Sequence, residues 1–311
     1  MNDYPIVLAH GIAPFDTLRQ RLVEGFRIEA HVPDRLHYFR NIASHLRDRG
    51  FKEVEHARVS FAAPLARRAQ ELQEDIAEVL KRTNREKVHV IAHSMGGLDA
   101  RHMIVKLGMD SRVASLTTIG TPHRGSSLAD WGEQNGGERV VEKFRGLLDL
   151  GGLLNLTTRF CQGLNAELEP AEAANKVFYQ TYSSSDEEAN VFLPLHWSWK
   201  IINAAEKGNE GRDGRNDGLV GLASQKWEPG FAGPAGRIKF EQREFPVPAD
   251  HLNQVGYWNP TQLRGKLRAA GGWNPLAWLK ALLNAPREYE RQIKGVYEGI
   301  ARDVRTRELP R

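Results

Sequence analysis

Cysteine is almost missing from this chain. Cys161 is alone among 311 residues, so no intramolecular disulfide can form, which fits a reducing compartment. Long apolar runs are missing too. Nothing approaches the roughly 18 uninterrupted apolar residues that a membrane-spanning helix needs. The segment Met1-Asn2-Asp3-Tyr4-Pro5 carries no basic stretch, no long apolar core and no small-residue cleavage site. These absences lead us to expect a cytoplasmic location, or a secreted one if a leader once preceded Met1. Runs of one charge are lacking as well. The 43 basic residues outnumber 39 acidic ones for a net charge of +4, yet the two signs are interleaved and no basic run reaches five. A mixed-charge surface follows, and no nucleic-acid partner is expected.

What remains, 41% apolar and 26% charged residues, belongs to a soluble globular protein rather than a collagen-like, coiled-coil or disordered one. Residues 6–9 read as a buried strand ending at His10-Gly11. Residues 13–34 read as an irregular excursion. Phe39, Ile42, Ala43 and Leu46 recur at helical spacing over 37–49, closed by Gly50. Residues 53–60 suit a strand. Residues 65–82 are amphipathic, with Leu65, Leu72, Ile76, Val79 and Leu80 on one face. Residues 88–92 make the best central strand, followed by a helix through Leu107. Further strands are expected over 113–119 and 176–182. Strands alternating with helices imply a doubly wound, mostly parallel α/β sheet.

Two regions break this rhythm. Residues 126–170 are rich in leucine and valine, among them Val140, Phe144, Leu147, Leu148 and Leu154, and read as a helical insertion. Residues 259–311 read as a helical tail. Its two Trp-Asn-Pro starts, at Trp258 and Trp273, place Asn as cap and Pro at the first helical position. Tyr289, Ile293, Val296, Ile300 and Val304 form one stripe. We read residues 1–311 as a single domain carrying both additions.

The chemistry centres on Ala92-His93-Ser94-Met95-Gly96. A sharp strand-to-helix turn lifts its central side chain above the sheet edge. It needs small residues two before and two after, because the two backbones come close there. Ala92 and Gly96 meet that need, although the first position departs from glycine. A serine hydroxyl needs a histidine base and an acid that fixes its tautomer. Asn216-Asp217-Gly218-Leu219-Val220 and Asp250-His251-Leu252-Asn253-Gln254 follow in suitable order. Asp217 competes with Asp213, in a turn-like Gly-Arg-Asp-Gly, and with Asp186, which starts an acidic cluster read as solvated. His93 neighbours the nucleophile and is expected to point elsewhere. An oxyanion needs two backbone N–H donors; Met95 and Ile12 are the candidates.

Together with Thr117-Thr118-Ile119-Gly120-Thr121-Pro122-His123-Arg124-Gly125, these segments resemble the triacylglycerol-lipase branch of the α/β-hydrolase superfamily. They fall in the family's order over residues 4–254. The resemblance implies Ser94, Asp217 and His251 as a catalytic triad, with Ile12 and Met95 as the oxyanion hole. It implies a shortened sheet of about six strands, because two strands that precede the His-Gly segment in larger members have no counterpart here. The 126–170 insertion becomes a lid or a fixed cap, with transient lipid-surface contact if it is a lid. An ester or lipid substrate and no cofactor follow. The same machinery also serves thioesters, phospholipids or acyl transfer, and a non-catalytic binding protein on this fold is the reading from another class.

Many bacterial lipases of this branch hold a structural Ca²⁺ beside the catalytic histidine, with an Asp two residues after it as one ligand. Here that position is Asn253, and residues 191–203 contain no Asp or Glu. No metal is therefore expected.

Overall fold

The computed structural model describes residues 3–12, 34–60, 63–135, 153–209, 212–232, 240–257 and 275–308, with side chains of the last helix from Glu288 onward. Six strands form one parallel sheet: β1 (Ile6–Ala9), β2 (Val54–His56), β3 (Val88–His93), β4 (Val113–Ile119), β5 (Phe178–Ser183) and β6 (Phe240–Glu244), in the order β2-β1-β3-β4-β5-β6. The expected doubly wound, six-stranded α/β sheet with a helical C-terminal tail is the fold observed.

Buried parallel strands must be apolar on both faces. Ile6 and Leu8 of β1 join one core, with Ile91 and Ile119, while Val7 and Ala9 join the opposite core, with Val88, Val90 and Leu116. The first core is covered by α1 (Ile42–Asp48) and by α8 (Pro275–Thr306), which supplies Ile293, Val296, Tyr297 and Ile300. The second is covered by α2 (Leu65–Thr83) and α3 (Met95–Lys106), through Leu72, Ile76, Met103 and Ile104. The predicted stripes on α2 and α8 are the buried ones, and Pro275 opens α8 as its Asn-Pro start implied.

Several boundaries differ from expectation. The helix expected over 37–49 is shortened to α1 because Asn41 sits at φ 55, a left-handed conformation that asparagine tolerates but a helix does not continue through. The strand expected over 53–60 keeps only three residues, since β1 offers it a short partner; Ala57 N–H still donates to the Leu8 carbonyl at 2.9 Å. Periodicity does not reveal β6 or the helix α6 (His196–Lys207). Strand β6 lies at the sheet edge with alternating exposure, and its sequence Phe-Glu-Gln-Arg-Glu is accordingly polar.

The ends of the leucine-rich insertion are α4 (Ser127–Asn135) and α5 (Thr158–Ala174). Both are anchored: Leu128 and Ala129 of α4, and Cys161, Leu164 and Leu168 of α5, are buried in core clusters. Residues 136–152, which include Val140, Phe144, Leu147 and Leu148, lie outside the described residues, as do the excursion at 13–33 and the first Trp-Asn-Pro start.

Strand order reverses at β1 and β3. From β1 the chain moves to one side to make β2, then returns to the other side for β3. The connections at the carboxyl ends of such neighbours diverge, which opens a crevice between them. His10-Gly11 and Ser94 stand at that crevice.

Candidate active site

Ser94 follows β3 directly and precedes the first residue of α3. It sits at φ 56 and ψ −132, a strained backbone for a residue with a Cβ. Two close approaches and two hydrogen bonds hold it. A Cβ at Gly96 would lie 2.6 Å from the Ala9 carbonyl oxygen and 2.7 Å from that of His10. A Cβ at Gly11 would lie 2.6 Å from Ser94 Cβ and 3.0 Å from its Oγ. Ser94 N–H donates to the Ile119 carbonyl at 2.9 Å, and Thr121 Oγ1 donates to the Ser94 carbonyl at 2.9 Å. The nucleophile candidate and the His-Gly segment are thereby brought into contact. Met95, at the first position of α3, has an N–H in the helix's first turn, where no intrahelical acceptor exists. Ile12, buried beside Met95 in one apolar cluster, follows Gly11.

The same region is clamped from below. Arg68 of α2, wholly buried, bonds to the Asp99 carboxylate of α3 at 2.7 Å and donates to the His10 carbonyl at 2.9 Å and to the Ser60 carbonyl. One guanidinium thus ties the strand carrying Gly11 to the helix that follows Ser94. Burial pushes the Asp99 carboxyl up to about 6, against the pull of Arg68.

Asp217 lies between α6 (His196–Lys207) and α7 (Leu222–Gln225), in a turn closed by a bridge between Asn216 and Gly221. Its carboxylate is fully buried and accepts four bonds. Oδ1 accepts from Leu219 and Val220 N–H at 2.9 and 2.7 Å. Oδ2 accepts from His251 Nδ1 at 2.7 Å and from Gln254 Nε2 at 2.9 Å. The His251 N–H also donates to the Asp217 carbonyl at 2.9 Å, so the two loops are joined through backbone and side chain.

The rival acids are placed elsewhere. Asp213 is exposed and paired with Arg215 in a turn, where bonds from Arg215 lower its carboxyl. Asp186, expected in solvent, is instead buried. Its carboxylate accepts from Glu187 N–H and Asn190 Nδ2, since the chain folds back there beneath α6.

His93 is not paired with Asp217. Its ring packs 4.5 Å from that of His251 and bonds to Tyr38 Oη at 2.7 Å and Gln254 Oε1 at 2.8 Å. Burial, then the neighbouring His251, hold it well below the ordinary histidine range, so it is neutral. Tyr38, Gln254 and Arg68 escaped sequence reasoning. The available signal for Gln254 was its place one helical turn after His251; Tyr38 had none.

The residues around His251 do not fit the calcium site found in many lipases of the branch this chain resembles. Asn253 Nδ2 donates to the Tyr257 carbonyl at 2.7 Å, and its Oδ1 accepts from Asp250 N–H at 3.2 Å. The Asp250 carboxylate accepts from Phe192, Leu252 and Asn253 N–H at 2.8–3.0 Å. Direct hydrogen bonds thus brace the His251 loop, where a hard cation would need several oxygens turned toward it. We expect EDTA to leave ester turnover and melting temperature unchanged; a melting temperature that falls in EDTA and recovers with Ca²⁺ contradicts this.

Comparison with known proteins agrees with the fold. A family model described as alpha/beta hydrolase fold matches residues 4–191. The chain is 30% identical over 223 residues to triacylglycerol lipase 2 of Saccharomyces cerevisiae, covering 68% of this chain and 57% of the yeast protein. It is 36% identical over 130 residues to a triacylglycerol lipase of Pseudarthrobacter phenanthrenivorans, covering 41% of this chain and 36% of that protein. The chain therefore spans little more than half of the first of these relatives and about a third of the second. Among solved structures, the mature lipase BlEst2 of Bacillus licheniformis superposes with a TM-score of 0.56 at 18% identity, covering 80% of this chain and 85% of that one. Lipase 1 of Pelosinus fermentans gives 0.55 at 17% identity, covering 88% and 100%. With a parallel sheet of the right order, a strained serine after β3 and a matching family model over most of the sheet, this chain belongs to the α/β-hydrolase fold family.

Proposed function

We propose that the protein is a serine hydrolase that cleaves carboxylic esters, of the lipase or lipase-like esterase kind. The observation that carries this reading is the 2.7 Å contact of His251 Nδ1 with the buried Asp217 carboxylate, set beside a serine held at positive φ. His251 takes the proton of Ser94 Oγ as the hydroxyl attacks the ester carbonyl. Asp217 holds the imidazole with its proton on Nδ1, which leaves Nε2 free to act as base. The N–H groups of Ile12 and Met95 receive the oxyanion. His251 then protonates the leaving alcohol, and a water activated by the same imidazole releases the acid from the acyl-enzyme.

An open cleft of about 650 Å³ shares Leu65, Phe160 and Leu164 with the cluster around Ile12 and Met95, and adds Leu154 and Gly163. We assign it to the acyl chain. In this reading the 126–170 segment gates or caps the site, since α5 walls that cleft, and its apolar residues meet the lipid surface. The relatives above are triacylglycerol lipases, which supports an ester or lipid substrate here.

Ser94→Ala and His251→Ala are expected to lower ester turnover by roughly 10⁴-fold or more. Asp217→Asn is expected to do the same through the wrong histidine tautomer, with Asp213→Asn near wild type. A dead Asp213→Asn beside an active Asp217→Asn reverses the assignment. Assays on p-nitrophenyl esters, triglyceride emulsions, phospholipids and acyl-CoA separate the ester reading from its thioester, phospholipid and acyl-transfer rivals.

The cleft has its own test. A Cβ at Gly163 meets nothing within 4 Å, so a side chain can start there without a backbone clash, and Gly163→Trp is chosen to fill the cleft. It is expected to lower kcat/KM for p-nitrophenyl laurate by about tenfold relative to p-nitrophenyl butyrate, the worth of about two methylenes of apolar burial. An unchanged chain-length profile removes the cleft from the account.

A further inference from the structure

Four side chains form an unbroken buried chain beneath the site: Tyr38, His93, Gln254 and Asp217. Its links are Tyr38 Oη to His93 Nδ1 at 2.7 Å, His93 Nε2 to Gln254 Oε1 at 2.8 Å, and Gln254 Nε2 to Asp217 Oδ2 at 2.9 Å. Tyr38 and the other three side chains are all buried.

The direction of every bond follows from one end. An ionised carboxylate can only accept, so the Gln254 amide must present its NH₂ to Asp217. That turns Oε1 toward His93, which must then carry its proton on Nε2. A neutral ring has no second proton, so Nδ1 accepts, and the Tyr38 hydroxyl donates to it. Burial keeps the ring neutral and the phenol protonated, so the chain holds one polarity.

We propose that Gln254, held by His93 and Tyr38, is a positioning residue that sets the charge Asp217 presents to His251. The proposal rests on reading Ser94, His251 and Asp217 as a triad. Gln254 shares Oδ2, the same oxygen that receives His251 Nδ1. A donor on that oxygen draws off part of its charge and so moderates the hold of Asp217 on a protonated imidazole. Gln254 is itself fixed on all sides. Nε2 also donates to Ser184 Oγ at 2.7 Å, its backbone carbonyl accepts from Tyr297 Oη at 2.9 Å, and a Cβ at Gly120 would collide with its amide.

The other titratable groups around the pair are accounted for. Asp250 accepts from Phe192, Leu252 and Asn253 N–H. Tyr257 and Arg68 act electrostatically on Tyr38.

Removing the donor leaves more charge on Oδ2, so imidazolium is held more tightly. Gln254→Met is therefore expected to move the acid limb of the kcat/KM–pH profile to higher pH by about one unit. The His251 imidazole titration, followed by NMR in a Ser94→Ala background, is expected to move by the same amount. Tyr38→Phe, which keeps the ring and loses one oxygen, is expected to shift both in the same direction by about half as much. It also carries the test if Gln254→Met does not fold. A purely structural role lowers the rate but leaves both titrations at the wild-type pH, and that result overturns the proposal. The triad reading fails separately: Ser94→Ala that still turns over ester removes the nucleophile, whatever the imidazole titration does.

Discussion

A buried carboxylate is tolerated only when donors replace the water it has lost. Asp217 is such a group, with no exposed surface and four donors on its two oxygens. Two of those donors come from its own turn and bend the chain back at Leu219 and Val220. The other two come from the loop after β6, at His251 and Gln254. Satisfying this one charge therefore joins the connection after β5 to the connection after β6, and sets the imidazole where it packs against His93, the residue before Ser94.

A second constraint works from the opposite side of the crevice. Ser94 can hold its positive φ only where Gly96 admits the β1 backbone and Gly11 leaves room for the serine side chain. Arg68 then ties the His10 carbonyl to Asp99 on α3, so β1 and α3 keep their spacing. The polar chain through Tyr38, His93 and Gln254 runs between these two halves. Strain at Ser94 and charge at Asp217 are thus each supported by buried polar groups, Arg68 and Asp99 on one side and Tyr38, His93 and Gln254 on the other.

Much of this was legible in the sequence because the signals were local. The Ala-His-Ser-Met-Gly turn needs small residues at fixed offsets, and apolar runs on both sides of it mark a buried strand and its helix. Stripes on α2 and α8 follow helical period, and Asn-Pro marks the start of α8. What escaped was nonlocal or masked by competing chemistry. Strand β6 is an edge strand and reads as polar. Asn41 stops a helix that its apolar neighbours favour. Asp186 looked solvated by composition, yet a chain reversal buries it. Arg68 lies on the same α2 stripe region as ordinary core residues, and only tertiary contact shows that its guanidinium meets the His10 carbonyl. Tyr38 and Gln254 are 216 residues apart in sequence and are joined only through His93.

The central claim is that Ser94 is the nucleophile made reactive by this arrangement. Labelling the intact protein with a fluorophosphonate and locating the adduct by peptide mass spectrometry tests it most directly. The account predicts a single stoichiometric phosphonyl adduct on Ser94 that disappears when His251 is replaced. An adduct on another residue, or no adduct on a folded protein, contradicts it.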